Sequence, residues 1–323
     1  MGKLDSETIE YVKRPEVFAD LFNALMYDGD TVIKPENLRE LDTRAIVHPF
    51  GKDGVVRPEN KSRDVLKQMV LMEDGKVAYA VVLGVENQLK IHYAMPVRNM
   101  LYDAINYSAQ VKEIAKEHRK NEDAMTSEEF LSGLKDEDRL QPVITLVMYF
   151  GQDKWVRPHS VHDMLNTDDA RILKYVPDYK MNLISPVSMT EEDLEKYKSD
   201  FKELAAFIRC AHDKDAMQKL IDSNEKFKHM DRLTASIANE CTNSKLDLVV
   251  NGEGEIDMCV AIAGIRQDGV MEGEARGEAR GKEKKAKEIA IRLYEQGMEV
   301  SLIANVVGEA VELVRTWVGV QPA

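Results

Sequence analysis

The side chains best suited to chemistry lie in one stretch, Arg63 to Lys90, RDVLKQMVLMEDGKVAYAVVLGVENQLK. Asp64 opens one β-branched and apolar run, Glu86-Asn87-Gln88 closes the next, and the turn signal Glu73-Asp74-Gly75 separates them. Two carboxylates brought together on paired strands make a hard, oxygen-rich site suited to Mg²⁺ or Mn²⁺, which can activate water against a phosphodiester. Register decides whether they meet. A loop of Asp74 and Gly75 alone pairs Glu73 with Lys76 and sends Asp64 and Glu86 to opposite faces. A three-residue loop, Asp74-Gly75-Lys76, or a bulge of equal effect, puts Asp64 directly opposite Glu86. Asp64, Leu66 and Gln68 then share a face with Val82, Gly84, Glu86 and Gln88, while Val65, Met69, Leu71, Val81, Leu83 and Val85 line the other. The competing reading is two strand-end carboxylates in solvent, and spacing alone leaves both open.

The elements that must position these acids can be read on either side. PEVFADLFNALMY, residues 15–27, has helical apolar spacing with Pro15 tolerated in the first turn. Thr43 to Phe50, Arg63 to Met72 and Lys76 to Glu86 read as an antiparallel meander. Met95 to His118 reads as a long helix, and VITLVMYFG after Pro142 as a strand covered on both faces. The order helix, three strands, helix, strand is an α/β core closing near residue 155. Thr190 to Thr242 is expected to be helical, opening on a Thr followed by acids. GEARGEARGKEKKAKE, with Gly273, Gly277 and Gly281 four apart, leads as a charged linker helix into a small C-terminal helical unit. Each Gly costs a helix about 1 kcal/mol relative to Ala, so disorder competes with helix there.

The chain has 323 residues and a formal net charge of -13, with 44% hydrophobic and 31% charged residues. That composition supports a packed core and argues against a disordered chain or a protein that coats nucleic acid. No apolar run is long enough to span a membrane, and the start MGKLDSETIEYVKR lacks a signal-peptide core, so a cytoplasmic protein is expected. Cys210, Cys241 and Cys259 are too scattered for a zinc knuckle and are expected to be reduced.

Arg63-Asp64, Val85-Glu86-Asn87-Gln88, Met95-Pro96-Val97-Arg98 with Tyr102 and Tyr107, and Pro142 to Gly151 leading to Trp155 and Pro158 carry a family likeness. On these motifs, spread over most of residues 15–165, the chain resembles the YhgA-like transposases, a recombination-promoting nuclease group within the PD-(D/E)XK nucleases. The resemblance implies a restriction-endonuclease-like α-β-β-β-α-β core and Mg²⁺- or Mn²⁺-dependent cleavage of DNA linked to recombination or a mobile element. It also implies that Asp64 and Glu86 are the metal ligands and that Gln88 stands where many relatives have Lys. A neutral Gln orients water but brings no charge to the transition state. An acid on the first helix often assists in such nucleases, and Asp20 is the candidate, with Asn23 behind it.

Arg98 and Tyr102 lie four apart on one helix face, where they could contact a phosphate or brace the carboxylates. His159 and His162 lack a supporting ligand for zinc, and Trp155 is expected to pack rather than stack a base. Two short helices around Gly308 have helix-turn-helix spacing, but Glu309 and Glu312 against Arg315 favour packing or homo-oligomer formation over groove reading. The expected divisions are 1–165 for the nuclease-like core, 166–268 for a helical region packed on it, and 269–323 for the appendage. The main rival to an endonuclease is an inactive nuclease fold kept as a binding or assembly module. A transposase proper, which joins strands as well as cutting them, is a second rival.

Overall fold

A computed structural model describes residues 2–41, 44–46, 60–62, 64–73 and 76–319. The expected strand Thr43–Phe50 and the turn residues Asp74 and Gly75 therefore fall partly or wholly outside the described residues. Two helices open the chain, α1 (Lys3–Lys13) and α2 (Pro15–Tyr27), divided at Arg14-Pro15 because Pro15 has no N–H to continue α1. The strands that follow are β1 (Leu38–Glu40), β2 (Arg44–Ile46), β3 (Asn60–Ser62), β4 (Val65–Glu73) and β5 (Lys76–Gln88). Helix α3 (Met95–Lys120), the capped turn of helix α4 (Ser127–Ser132) and strand β6 (Val143–Tyr149) come next. After the short helix α5 (Ala170–Leu173), β7 (Asn182–Ile184) completes the sheet.

The sheet has five strands in the order β1-β4-β5-β6-β7, antiparallel through β5 and parallel from β5 onward. The change of direction follows from the connections: a tight hairpin joins β4 to β5, whereas α3 carries the chain back over the sheet before β6. Strands β2 and β3 form a separate antiparallel pair. Alternation splits the sheet between two helical layers. On one face Lys67, only 2% exposed, donates to the Lys13 carbonyl at the end of α1 (2.7 Å) and lies over the Phe18 ring of α2. On the other, Leu66, Val82 and Val143 pack with Tyr107 of α3. The Tyr107 hydroxyl accepts the Val143 N–H at the start of β6.

Beyond the sheet lie α6 (Glu191–Glu195), α7 (Phe201–Arg209), α8 (Lys214–Ser223) and α9 (Arg232–Thr242), with a two-strand ribbon of β8 (Met230–Asp231) and β9 (Glu255–Ile256). Residues Met1–Cys259 form one compact unit. β7, at residues 182–184, is a strand of the same sheet. The N-terminal segment is also tied to the later helices: Arg14 pairs with Asp231 at 2.7 Å, and the Tyr11 hydroxyl donates to Asp200 at 2.8 Å.

Val260–Ala323 forms the second unit. Helix α10 (Met258–Glu295) runs without a break through the Gly-spaced lead, whose Arg, Glu, Ala and Lys are strong helix formers. Glu278 and Lys282, four apart, pair at 2.7 Å along it. The end of α10, α11 (Val300–Val307) and α12 (Val311–Val318) enclose a small core of Ala290, Ile303, Ala304 and Val314. Gly308 makes the turn between α11 and α12 at φ +73°, a conformation that glycine adopts without strain. Among the described residues no helix is long and apolar enough to cross a membrane.

Candidate active site

The site is assembled by the β4/β5 hairpin and the first turns of α3. Pairing runs Val65↔Val85, Leu66↔Gly84 and onward to Leu71↔Tyr79, then shifts to Met72↔Val77 and Glu73↔Lys76. Ala78 is thus an extra residue on β5, and this bulge does the work that a three-residue loop was expected to do. Extending the pairing by one position brings Asp64 opposite Glu86. Asp64 Oδ2 accepts the backbone N–H of Asn87 at 2.8 Å, which fixes the carboxylate at the end of β5.

Glu86 is fully buried and lies against α3. Arg98, in the first turns of that helix, places its Nη2 3.1 Å from Glu86 Oε2. Its Nε donates to the Tyr102 hydroxyl at 3.0 Å, and its guanidinium carbon lies 5.5 Å from the Tyr102 ring centre. A carboxylate removed from water requires a paired charge, and this guanidinium supplies it. Burial pushes the Asp64 carboxyl above its usual range, with the Asn87 N–H and the Arg98 charge pulling partly back. Burial is the largest single influence on Arg98 and opposes its charge, but Glu86, Tyr102 and Asp64 together outweigh it and raise the guanidinium. Tyr102 is likewise raised, by burial first and then by Glu86. The arrangement holds two carboxylates and a guanidinium within one electrostatic unit.

Gln88 lies two residues beyond Glu86 on β5, and its Nε2 donates to the Asn87 carbonyl at 2.8 Å. Asp20 is placed elsewhere. Its carboxylate accepts the N–H groups of Lys198 and Ser199 at 2.9 and 2.8 Å and the Ser199 hydroxyl at 2.6 Å. Such a web anchors the turn before α7, and none of these bonds involves Asp64 or Glu86. These bonds give Asp20 a structural task, beside which its expected helper role stays a proposal. Asn23 is committed to the segment after α2, binding the Ile33 carbonyl and the Val32 and Ile33 N–H groups.

The other candidates also find structural partners. His162 Nε2 lies 2.7 Å from the Val176 carbonyl. Trp155 is 5% exposed, edge-on to Tyr149, and donates to the Pro158 carbonyl at 3.0 Å. One polar group escaped the sequence reading. Asp103, one turn beyond Asn99 on α3, accepts the Thr145 hydroxyl of β6 at 2.6 Å and the Tyr179 hydroxyl at 2.5 Å. It ties α3 to the sheet beside the site, and no local signal marks a partner 76 residues away.

No curated protein and no solved structure matches the chain. Residues 59–238, more than half of the chain and including Asp64, Glu86, Arg98 and Tyr102, match the family described as "Putative transposase, YhgA-like", and the chain belongs to that family.

Proposed function

We propose that this protein is a metal-dependent DNA endonuclease of restriction-endonuclease-like architecture, acting in recombination or on a mobile element. The observation that supports the reading is the register of β4 and β5, Val65 with Val85, whose continuation by one residue would bring Asp64 opposite Glu86, with the Asn87 N–H held by Asp64. The order α2, β1, β4, β5, α3, β6 supports the α-β-β-β-α-β reading. The donor set fits a small hard cation: two carboxylates from adjacent strands, one fully buried and the other pushed by burial toward its neutral form, so that added positive charge stabilises both. Asp64 and Glu86 would hold Mg²⁺ or Mn²⁺, which supplies a more acidic bound water and neutralises charge on the scissile phosphate.

The chain's own groups have separate tasks. Arg98 pairs with Glu86, and Tyr102 fixes Arg98 in turn. That makes bracing the first role of both, with phosphate contact open to the remaining N–H groups of the guanidinium. Gln88 is suited to orient a water by hydrogen bonding.

The test is cleavage of plasmid and linear DNA with Mg²⁺ and with EDTA. Asp64→Ala and Glu86→Ala should abolish metal-dependent cutting without loss of fold, and undiminished cutting by both variants would sink the assignment. The Glu86–Arg98 pair favours one second reading, an inactive fold kept for binding or assembly, because a guanidinium already balances the buried carboxylate. Binding of DNA with no cutting in Mg²⁺ or Mn²⁺ would support it. Joined products in the same assay would point to strand transfer.

A further inference from the structure

Away from the hairpin, the β8/β9 ribbon gathers a different set of ligating side chains. Asp231 pairs with Glu255 and Met230 with Ile256, so His229, just before β8, stands beyond the end of β9, and its imidazole reaches diagonally back to Glu255. Asn251 shapes the connecting loop by accepting the N–H groups of Glu253 and Glu255, at 3.0 and 2.9 Å. One ligating atom from each of His229, Glu253 and Glu255 lies within 4.8 Å of the other two. Bonds of about 2.0–2.2 Å to a shared ion need only a small closing of that triangle.

A separate feature marks the same place as cation-seeking. His229 forms part of the wall of a cleft of about 410 Å³, with Asp200, Glu203, Glu225 and Asp231 set against Lys226. Glu203 is 3% exposed. Its Oε1 accepts from Asn224 at 3.2 Å and pairs with Lys226 at 3.1 Å, while its buried Oε2 has no hydrogen-bond donor among the described residues. A buried carboxylate oxygen without a donor is costly, and a cation or its water in the cleft would offset that cost.

We infer that His229, Glu253 and Glu255 bind a divalent transition-metal ion of the Zn²⁺ class at the mouth of this cleft. One imidazole nitrogen with two carboxylate oxygens is a donor set for Zn²⁺ or its neighbours, whereas Mg²⁺ and Ca²⁺ favour oxygen alone. The ion would replace the 2.8 Å contact between His229 Nδ1 and Glu255 Oε2 and join β8 to the Asn251–Glu255 loop. Water would complete the four positions.

The experiment uses the full chain, stripped with chelator, in an Asp64→Ala background so that metal at the proposed nuclease pair is not counted. Zn²⁺ is titrated by calorimetry, and Co²⁺ absorption reports the geometry. One equivalent of Zn²⁺ is expected, with a Zn²⁺-dependent rise in the unfolding midpoint. His229→Gln and Glu253→Gln should each weaken binding by about 100-fold, since losing even an outer partner of a ligand costs about 10–100-fold. Glu253 lies exposed in a loop, so Glu253→Gln keeps the fold and serves if the histidine variant does not. Zn²⁺ uptake that is weak and unsaturating, or equal in the parent and both variants, would overturn the site. Neither result depends on whether Asp64 and Glu86 cut DNA.

Discussion

Replacing Arg98 with Met tests the charge balance at the centre of the candidate site. Glu86 is 0% exposed, and the Arg98 side chain is 32% exposed, with 3.1 Å between Nη2 and Oε2. Removing one partner of a fully buried ion pair costs about 3–5 kcal/mol, chiefly because the other charge is stranded. With a third of the guanidinium already in solvent, the expected cost of Arg98→Met is at the lower end, about 3 kcal/mol. Glu86→Gln should cost about 1 kcal/mol, because the guanidinium left behind can turn toward water. The double variant should then be less destabilised than the sum of the singles by about 2 kcal/mol, a coupling that urea unfolding with a constant m-value resolves. Mg²⁺ should recover part of the loss in Arg98→Met, since an ion bound only to the folded state stabilises it. Additive single effects would refute the pair as the source of compensation. Coupling with no response to Mg²⁺ would leave the pair standing and remove the metal from it.

Asp20→Ala should destabilise the fold by about 2–4 kcal/mol by stripping three donors of their acceptor, yet leave cleavage per folded molecule unchanged. A loss of cleavage at full stability would return Asp20 to the chemistry. His118 is pulled above its usual pKa by its bond to Asp123 at 2.6 Å and then by that to Asp138 at 2.8 Å, and it lowers both carboxyls in return. Its contribution to stability is present in full below about pH 6.5 and is lost as pH rises through the raised value. The carboxylates' share is lost as pH falls through their lowered values. Unfolding midpoints of His118→Asn across the same range should therefore show a flatter decline above about pH 6.5, and an unchanged profile would deny the clip. Gln88→Lys should retain or raise cutting by adding a cation near the carboxylates; loss of cutting with metal affinity unchanged would count against Gln88 as the water-positioning residue.

Much of the frame around the acids was legible because it rests on local patterns. Residues 15–27 and the start of α3 at Met95 follow from apolar spacing at helical period, and the strand VITLVMY from its continuous apolar run. The pairing of Asp64 with Glu86 was legible as a condition, but its cause was not. A bulge at Ala78 has no reliable signature in a run of β-branched and small residues. The bonds of Asp20 were hidden for a different reason: two of its three donors are backbone amides 178 and 179 residues away, and amides have no residue type to recognise. β7 escaped because three residues are too few to display alternation. Arg98 and Tyr102 were legible as a pair that could brace the carboxylates or contact a phosphate, and the 3.1 Å approach of Arg98 to Glu86 agrees with bracing.

Ala78 also governs how the hairpin can change length. Side chains on a strand alternate, so one residue gained or lost between the two acids carries Asp64 away from Glu86 while leaving both strands able to pair. Changes that leave the partners of the two strand ends in register, such as two odd changes that cancel, preserve the meeting of the carboxylates. Loss of Ala78 with one residue added between Glu73 and Lys76 is such a cancelling pair, since it restores Leu71 opposite Tyr79 by another route. What matters for the proposed site is thus the register of the two strand ends rather than a fixed loop length, and a slip of one residue between them would part the two acids while leaving both strands able to pair.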